Sequence, residues 1–292
     1  MKFGVMFANT GPFATPEGAA AIAEAAEGAG FESIWTVEHV VVPVGYQSRY
    51  PYDESGKMPG GEKVDIPDPL VWLAYVAART STLKLGTGIL IANQRNPLVL
   101  AKEVATLDRL SGGRVLFGVG VGWLREEFEA LGVPFEGRGR RLDEQIEVMR
   151  TLWAEEQAEF HGEFTSFKPV VSRPRPTNGA VPIIIGGHSD AAARRAGRLG
   201  DGFFPGKGSN ERLRELIGIM RDAARAAGRD PDAIELTTGG QAAFAADPVA
   251  ALRELEQDLG VDRVVIPPLA FDPDGIGPAL ERFGNDVIAR VS

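Results

Sequence analysis

Arg114-Val-Leu-Phe-Gly118-Val-Gly-Val-Gly122-Trp123 decides the fold of this chain, together with its counterpart Val181-Pro-Ile-Ile-Ile-Gly186-Gly187-His188-Ser189. In both, a short apolar run suited to a buried parallel strand passes through glycine into the start of a helix. Glycine lets the backbone turn sharply and approach a ligand without a Cβ in the way. The helix behind it aims unpaired N–H groups and the positive end of its dipole at the turn, which favours an anion there. One such turn is weak evidence, because tight turns without a ligand need the same glycines. Two of them suggest a phosphorylated ligand lying across several strand ends.

Working outward, strand and helix alternate along the whole chain. Strands are predicted at Lys2–Ala8, Ser33–Val37, Lys84–Leu90, Arg114–Val119, 182–186, Gly202–Pro205, Ile234–Thr238 and Arg263–Pro267, with helices between them. Thr15-Pro16, Asp68-Pro69, Asn96-Pro97 and Asp247-Pro248 each pair a capping side chain with proline at the first helical position, while Gly30, Gly200, Gly228 and Gly260 stop helices. Eight strands alternating with helices predict a (β/α)8 TIM barrel, one domain over residues 1–292, with the turn-rich segment 156–180 as an insertion. A doubly wound open sheet would want a glycine fingerprint after its first strand, and Asn9-Thr-Gly-Pro-Phe13 does not supply one.

A net charge of −9 argues against nucleic acid or an anionic membrane and for a small-molecule partner. With no cysteine, disulfides, a thiolate nucleophile and cysteine-held metals are excluded. The apolar run Phe3–Ala8 is too short for a signal segment and nothing is long enough to span a bilayer, so a soluble, cytoplasmic protein is expected.

Active sites of such barrels lie where strands exit at their C-terminal ends. The second strand exits through Glu38-His39, a carboxylate and an imidazole able to hold a ring edge and shuttle a proton. The third exits through Gly86-Thr87-Gly88-Ile89-Leu90, where glycine marks a bulge or a close backbone approach. Trp123 covers a ring or starts a helix with its apolar face inward, and His188 touches phosphate or is merely exposed. His161 reads as a hairpin residue. Arg194, Arg195 and Arg198 suit either a polyanionic tail or a solvated helix face. The long loop 40–66 holds Tyr46, Tyr50 and Tyr52, three of the four tyrosines, and reads as a lid.

Phe31-Glu-Ser-Ile-Trp35 leading to Glu38-His39, Leu85-Gly-Thr-Gly-Ile89, Asn96-Pro97, Leu107-Asp-Arg-Leu-Ser-Gly-Gly-Arg114, Gly118-Val-Gly-Val-Gly-Trp123 and Ile185-Gly-Gly187 together make the chain resemble the bacterial luciferase-like family, most closely its coenzyme F420-dependent oxidoreductases. The resemblance runs over nearly the whole length. It implies a barrel, a homodimer, and F420 or reduced FMN bound at the C-terminal mouth. Glu38 and His39 would lie against the deazaflavin ring, with His39 as acid/base. A non-proline cis peptide would fall at Gly88-Ile89, beside Thr87. Val121, Gly122 and Trp123, with Gly186, Gly187, His188 and Ser189, would hold the ribityl phosphate. Some sugar-phosphate dehydrogenases of the family carry a glutamate, proposed as a catalytic acid, where Trp123 stands; tryptophan cannot play that part.

The expected activity is hydride transfer between F420 and a small organic substrate. The alternative is an FMNH2-dependent, oxygen-using monooxygenase on the same barrel, and a third class is a carrier of the cofactor without turnover. Substrate and reaction direction are not legible.

Overall fold

A computed structural model describes residues 1–206 and 208–291. Eight parallel strands close into a barrel: β1 (Lys2–Val5), β2 (Ser33–Thr36), β3 (Lys84–Thr87), β4 (Val115–Val119), β7 (Ile183–Gly186), β8 (Gly202–Phe204), β9 (Glu235–Gly239) and β10 (Arg263–Ile266), in the order β1-β10-β9-β8-β7-β4-β3-β2. Between β4 and β7 the chain leaves the barrel as an antiparallel hairpin, β5 (Ala158–His161) with β6 (Ser166–Val170), inside the predicted insertion. His161 stands on that hairpin between Glu159 and Ser166, far out in solvent.

The helices α1 (Pro16–Gly28), α2 (Pro69–Arg79), α3 (Pro97–Ser111), α4 (Arg125–Ala130), α5 (Arg138–Ala154), α6 (Asp190–Leu199), α7 (Asn210–Ala226), α8 (Pro248–Leu259) and α9 (Pro273–Phe283) surround it, with a short α10 (Ala289–Val291) after them. All four predicted caps are formed: Thr15, Asp68, Asn96 and Asp247 each accept from a first-turn N–H, with proline beside them. Gly30, Gly228 and Gly260 end helices in the left-handed region, whereas Gly200 has φ −84°. Glycine is needed at 200 because a Cβ there would press on the Gly202 and Ala196 carbonyls. Among the described residues no helix is long and apolar enough to cross a membrane.

Period-two alternation divides the apolar side chains into two sets. Those pointing out, such as Val5, Ile34, Leu85, Phe117, Ile185, Val264 and Ile266, meet the helices. Those pointing in, Met6, Trp35, Leu116, Ile184, Phe204 and Val265, fill the barrel, with Val37 and Ile89 above them. Trp35 meets Phe204 edge to face. The interior is therefore a packed plug, and a ligand has room only at the ends of the strands.

β3 is shorter than the pattern suggests. It stops at Thr87, a cis peptide joins Gly88 to Ile89, and Leu90 rejoins the sheet by a single bridge to Val119.

Candidate active site

At the strand exits, the Ile89 side chain lies across the neighbouring backbone and forms a floor. A Cβ on Gly120 would come within 2.9 Å of Ile89 Cγ2, and one on Gly186 would collide with its Cγ1. One on Gly118 would collide with the Thr87 carbonyl, so several glycines of both motifs serve close packing of the protein against itself. Gly122 (φ +79°) and Gly187 (φ +124°) are different: their backbone conformations require glycine and bend the two turns. The amides of Val121, Gly122 and Trp123 have no protein acceptor among the described residues. Ser189 caps α6 by accepting from Ala192 N–H, and Gly187 N–H is donated to the Phe204 carbonyl, so what this turn offers an anion is the N-terminal end of α6. Asp190, which would repel an anion there, is drawn aside into an ion pair with Arg212 at 2.6 Å.

Glu38 and His39 are adjacent in sequence but face apart. Glu38 is buried, accepts from Ile91 N–H at 2.6 Å and pairs with Arg95, which also holds Asp68 at 3.0 Å. Burial pushes its carboxyl above the usual range, against the pull of Arg95 and the Ile91 amide. Its work is to fix the chain just beyond the floor residue Ile89. Sequence reasoning read the two side by side as a pair able to hold a ring edge and shuttle a proton; in the structure they lie beyond the end of β2 and turn to different partners. His39 turns to α4, where Nδ1 lies 3.1 Å from Glu127 Oε2, and its Nε2 has no protein partner among the described residues. A cavity of about 130 Å³ lies beside it, lined by Glu38, His39, Ile66, Asp68 and Arg95 among others. A larger cavity, about 400 Å³, sits at the far ends of β7 and β8 around Arg150 and Asp201, away from these groups.

Loop 40–66 folds over the mouth. Tyr46 and Tyr50 meet the edge or face of Trp123 at ring separations of 5.6 and 5.3 Å, Trp123 meets His39 at 5.6 Å, and Tyr52 meets His188 at 5.1 Å. The loop thus reaches from the β2 exit to the β7 turn. Burial pushes the Tyr50 hydroxyl up to about 12, with Tyr52 and Asp53 adding to it, and burial raises Tyr52 as well. Both phenols stay neutral, so the part of the cover that meets Trp123 and His188 is aromatic.

Other predicted residues have different duties. Thr87 donates its hydroxyl to the Gly118 carbonyl at 2.7 Å and is buried in the barrel wall, so its side chain is closed to a ligand. Arg195 and Arg198 pair with Asp143 of α5, and Arg195 also donates to the Gly139 carbonyl at 3.0 Å. Glu127 and Arg95 were missed by sequence reasoning. The only sequence signal for Glu127 is Arg125-Glu-Glu-Phe128 directly behind the glycine turn; its partner His39 is 88 positions away.

The comparisons with known proteins agree with the barrel fold. An uncharacterised protein of Mycobacterium tuberculosis (strain ATCC 25618 / H37Rv) is 34% identical over 279 residues, covering 92% of this chain and 94% of that one. An F420-dependent glucose-6-phosphate dehydrogenase of Kineococcus radiotolerans is 38% identical over 192 residues, 64% of this chain and 56% of its own. Among solved structures, the monooxygenase RslO1 from Streptomyces bottropensis superposes over the full length of both chains with a TM-score of 0.78 at 26% identity. The F420-dependent tetrahydromethanopterin reductase from Methanopyrus kandleri superposes with the same score at 20% identity, over 100% of this chain and 99% of that one, and so shares the fold. Residues 1–272 match the family described as luciferase-like monooxygenase, and the chain, an oxidoreductase, belongs to that family.

Proposed function

We propose that this oxidoreductase binds coenzyme F420 at the strand exits and moves hydride between it and a small organic substrate. The observation that carries the reading is the convergence on one face of an apolar floor (Ile89), the open amides of Val121, Gly122 and Trp123, the start of α6 and an imidazole whose Nε2 is unpartnered. These residues fit a flat ring with a ribityl phosphate: Ile89 would hold the ring, and the amides around Gly122 with the start of α6 would hold the phosphate. Bound F420 would supply or accept hydride at its C5.

The chain's own residues do the rest. His39 Nε2 gives or takes the accompanying proton, which general acid–base catalysis requires within hydrogen-bond reach. Glu38 holds Ile91 and hence the floor in place. Trp123 and the tyrosines of loop 40–66 exclude water above the floor. The 38% identity to the Kineococcus dehydrogenase supports F420. The full-length likeness to RslO1 favours the second reading, an oxygen-using FMN monooxygenase. Titrating the apo-protein with F420 and FMN, oxidised and reduced, and following tryptophan quenching separates them. We expect F420 to bind about tenfold or more tighter than FMN; the opposite order would replace hydride transfer by oxygen insertion as the activity.

We propose a cytoplasmic enzyme. We further propose a homodimer. The outer face of α2 presents Val71, Ala74, Tyr75 and Ala78 to solvent without a charge, and Val71 is 72% exposed. Light scattering should give the mass of two chains for the wild type and a monomer for Val71→Glu; a monomeric wild type would refute the dimer.

A further inference from the structure

Glu127 stands in the first turn of α4 with its side chain 2% exposed, and it has no arginine or lysine partner among the described residues. A carboxylate in that position is tolerated only if hydrogen-bond donors replace its water. The donors come from two places. Oε1 accepts from Val40 N–H at 2.7 Å and from Val41 N–H at 3.3 Å, the first residues of the covering loop. Oε2 faces His39 Nδ1 at 3.1 Å. The neighbouring Glu126 continues the same attachment, accepting from Gln47 N–H at 2.7 Å and Ser48 N–H at 3.0 Å.

We infer that Glu127 is a positioning residue of the active site: it fixes His39 in the tautomer protonated on Nδ1, leaves Nε2 as the free lone pair, and ties that state to the start of loop 40–66. The chemistry follows from the donor set. An ionised carboxylate only accepts, so the imidazole nitrogen facing it must carry the hydrogen. A neutral imidazole has one N–H, and Nε2 is then the base. When Nε2 takes a proton, the imidazolium is held against the Glu127 carboxylate, in the way a buried carboxylate serves the histidine of a hydrolase triad. Trp123 packs against the same ring and offers it no competing acceptor. Glu38 is directed to Arg95.

Because one carboxylate serves both sides, the loop and the imidazole are linked. A loop that swings away from α4 removes the donors from Oε1 and leaves the charge with His39 alone. The inference rests on the reading of His39 as the proton-handling group, but its test does not require turnover.

The test is the ¹⁵N NMR tautomer assignment of the imidazoles in the full-length protein without cofactor, at about pH 8.5, where a histidine of ordinary pKa is neutral. The chain has three histidines, so the His39 signals are identified by their loss in His39→Asn. We expect the Nδ1–H form in the wild type and the Nε2–H form, preferred by unconstrained imidazole, in Glu127→Ala. Glu127→Gln keeps the shape but presents one oxygen and one NH₂: if the oxygen keeps Val40, the NH₂ donates to Nδ1 and turns His39 to the Nε2–H form, and if the oxygen keeps His39, Val40 loses its acceptor. Trypsin cleavage after Arg49 and Lys57 is expected to be about tenfold faster in Glu127→Ala, reporting loop opening. An Nε2–H form in the wild type would overturn the inference, as would an unchanged tautomer and cleavage rate in both variants. Should Glu127→Ala fail to fold, Glu127→Gln alone decides: wild-type behaviour on both readouts would sink the idea. Failure of the proton-transfer reading would show instead as an unaltered rate in His39→Asn, with the tautomer result standing.

Discussion

His39→Asn is expected to slow hydride transfer by about 100- to 10,000-fold while leaving F420 affinity within about threefold, a change well under 1 kcal/mol. Asparagine is chosen because its side-chain N–H₂ can replace Nδ1–H in the bond to Glu127, so the start of loop 40–66 keeps its attachment. What asparagine lacks is an atom at Nε2. The loss is then confined to the proton that must accompany hydride, and the floor at Ile89 and the two glycine turns are untouched. The measurement is a single-turnover reaction with reduced F420 and the first substrate found to oxidise it, monitored by the return of cofactor absorbance. A rate within about fivefold of wild type would remove His39 from the chemistry, and another donor, or water, would have to supply the proton.

The barrel was legible because every one of its signals is local. Strand runs, the Thr15, Asp68, Asn96 and Asp247 caps with their prolines, and the turn-rich hairpin segment are all read from a few neighbouring residues. Half of the site was legible for the same reason, since a strand exit is a place in the sequence and His39 and Trp123 stand at two of them. The remainder depends on which way side chains point across the mouth. Nothing near Glu38 in sequence says that its carboxylate meets Arg95 and the Ile91 amide, or that His39 meets Glu127. The glycine motifs show the same limit from the other side. Gly122 and Gly187 are bent turns as the motif suggests, but Gly120 and Gly186 are glycine because a side chain from the segment after β3, Ile89, lies over them. A motif gives the residue type and leaves open whether a ligand or the protein itself makes the close approach.

At the opposite end of the barrel, Arg263→Ala is expected to cost about 3–5 kcal/mol of stability, the usual penalty for breaking a buried ion network from one side. Arg263 opens β10, is 1% exposed, and points into the barrel below Trp35, whose ring lies 5.7 Å from its guanidinium carbon. It makes two bonds of 2.9 Å to Glu32, one of 2.9 Å to Glu235 and one of 3.1 Å to Thr237. Burial alone would lower its pKa, but the bonds and charges of Glu32 and Glu235 outweigh that and raise it. Burial likewise pushes the Glu235 carboxyl up while Arg263 and Lys2 bring it below its ordinary value. A carboxylate depressed on folding stabilises the protein above its unfolded pKa, and that contribution fades as pH falls through the folded value. The deficit of Arg263→Ala measured by urea unfolding at neutral pH should therefore shrink in acid. Replacing the whole network tests the cause. Arg263→Met with Glu32→Gln and Glu235→Gln removes the charges together while keeping an unbranched side chain under Trp35, and more than about half of the lost stability should return. If the triple variant is no more stable than Arg263→Ala, the loss comes from packing beneath Trp35 and not from unpaired carboxylates. Either way the strand exits are a barrel's length from the change, so F420 binding by the folded fraction should match wild type. The two ends of the barrel would then be shown to have separate duties, charge pairing for stability below and open polar groups for chemistry above.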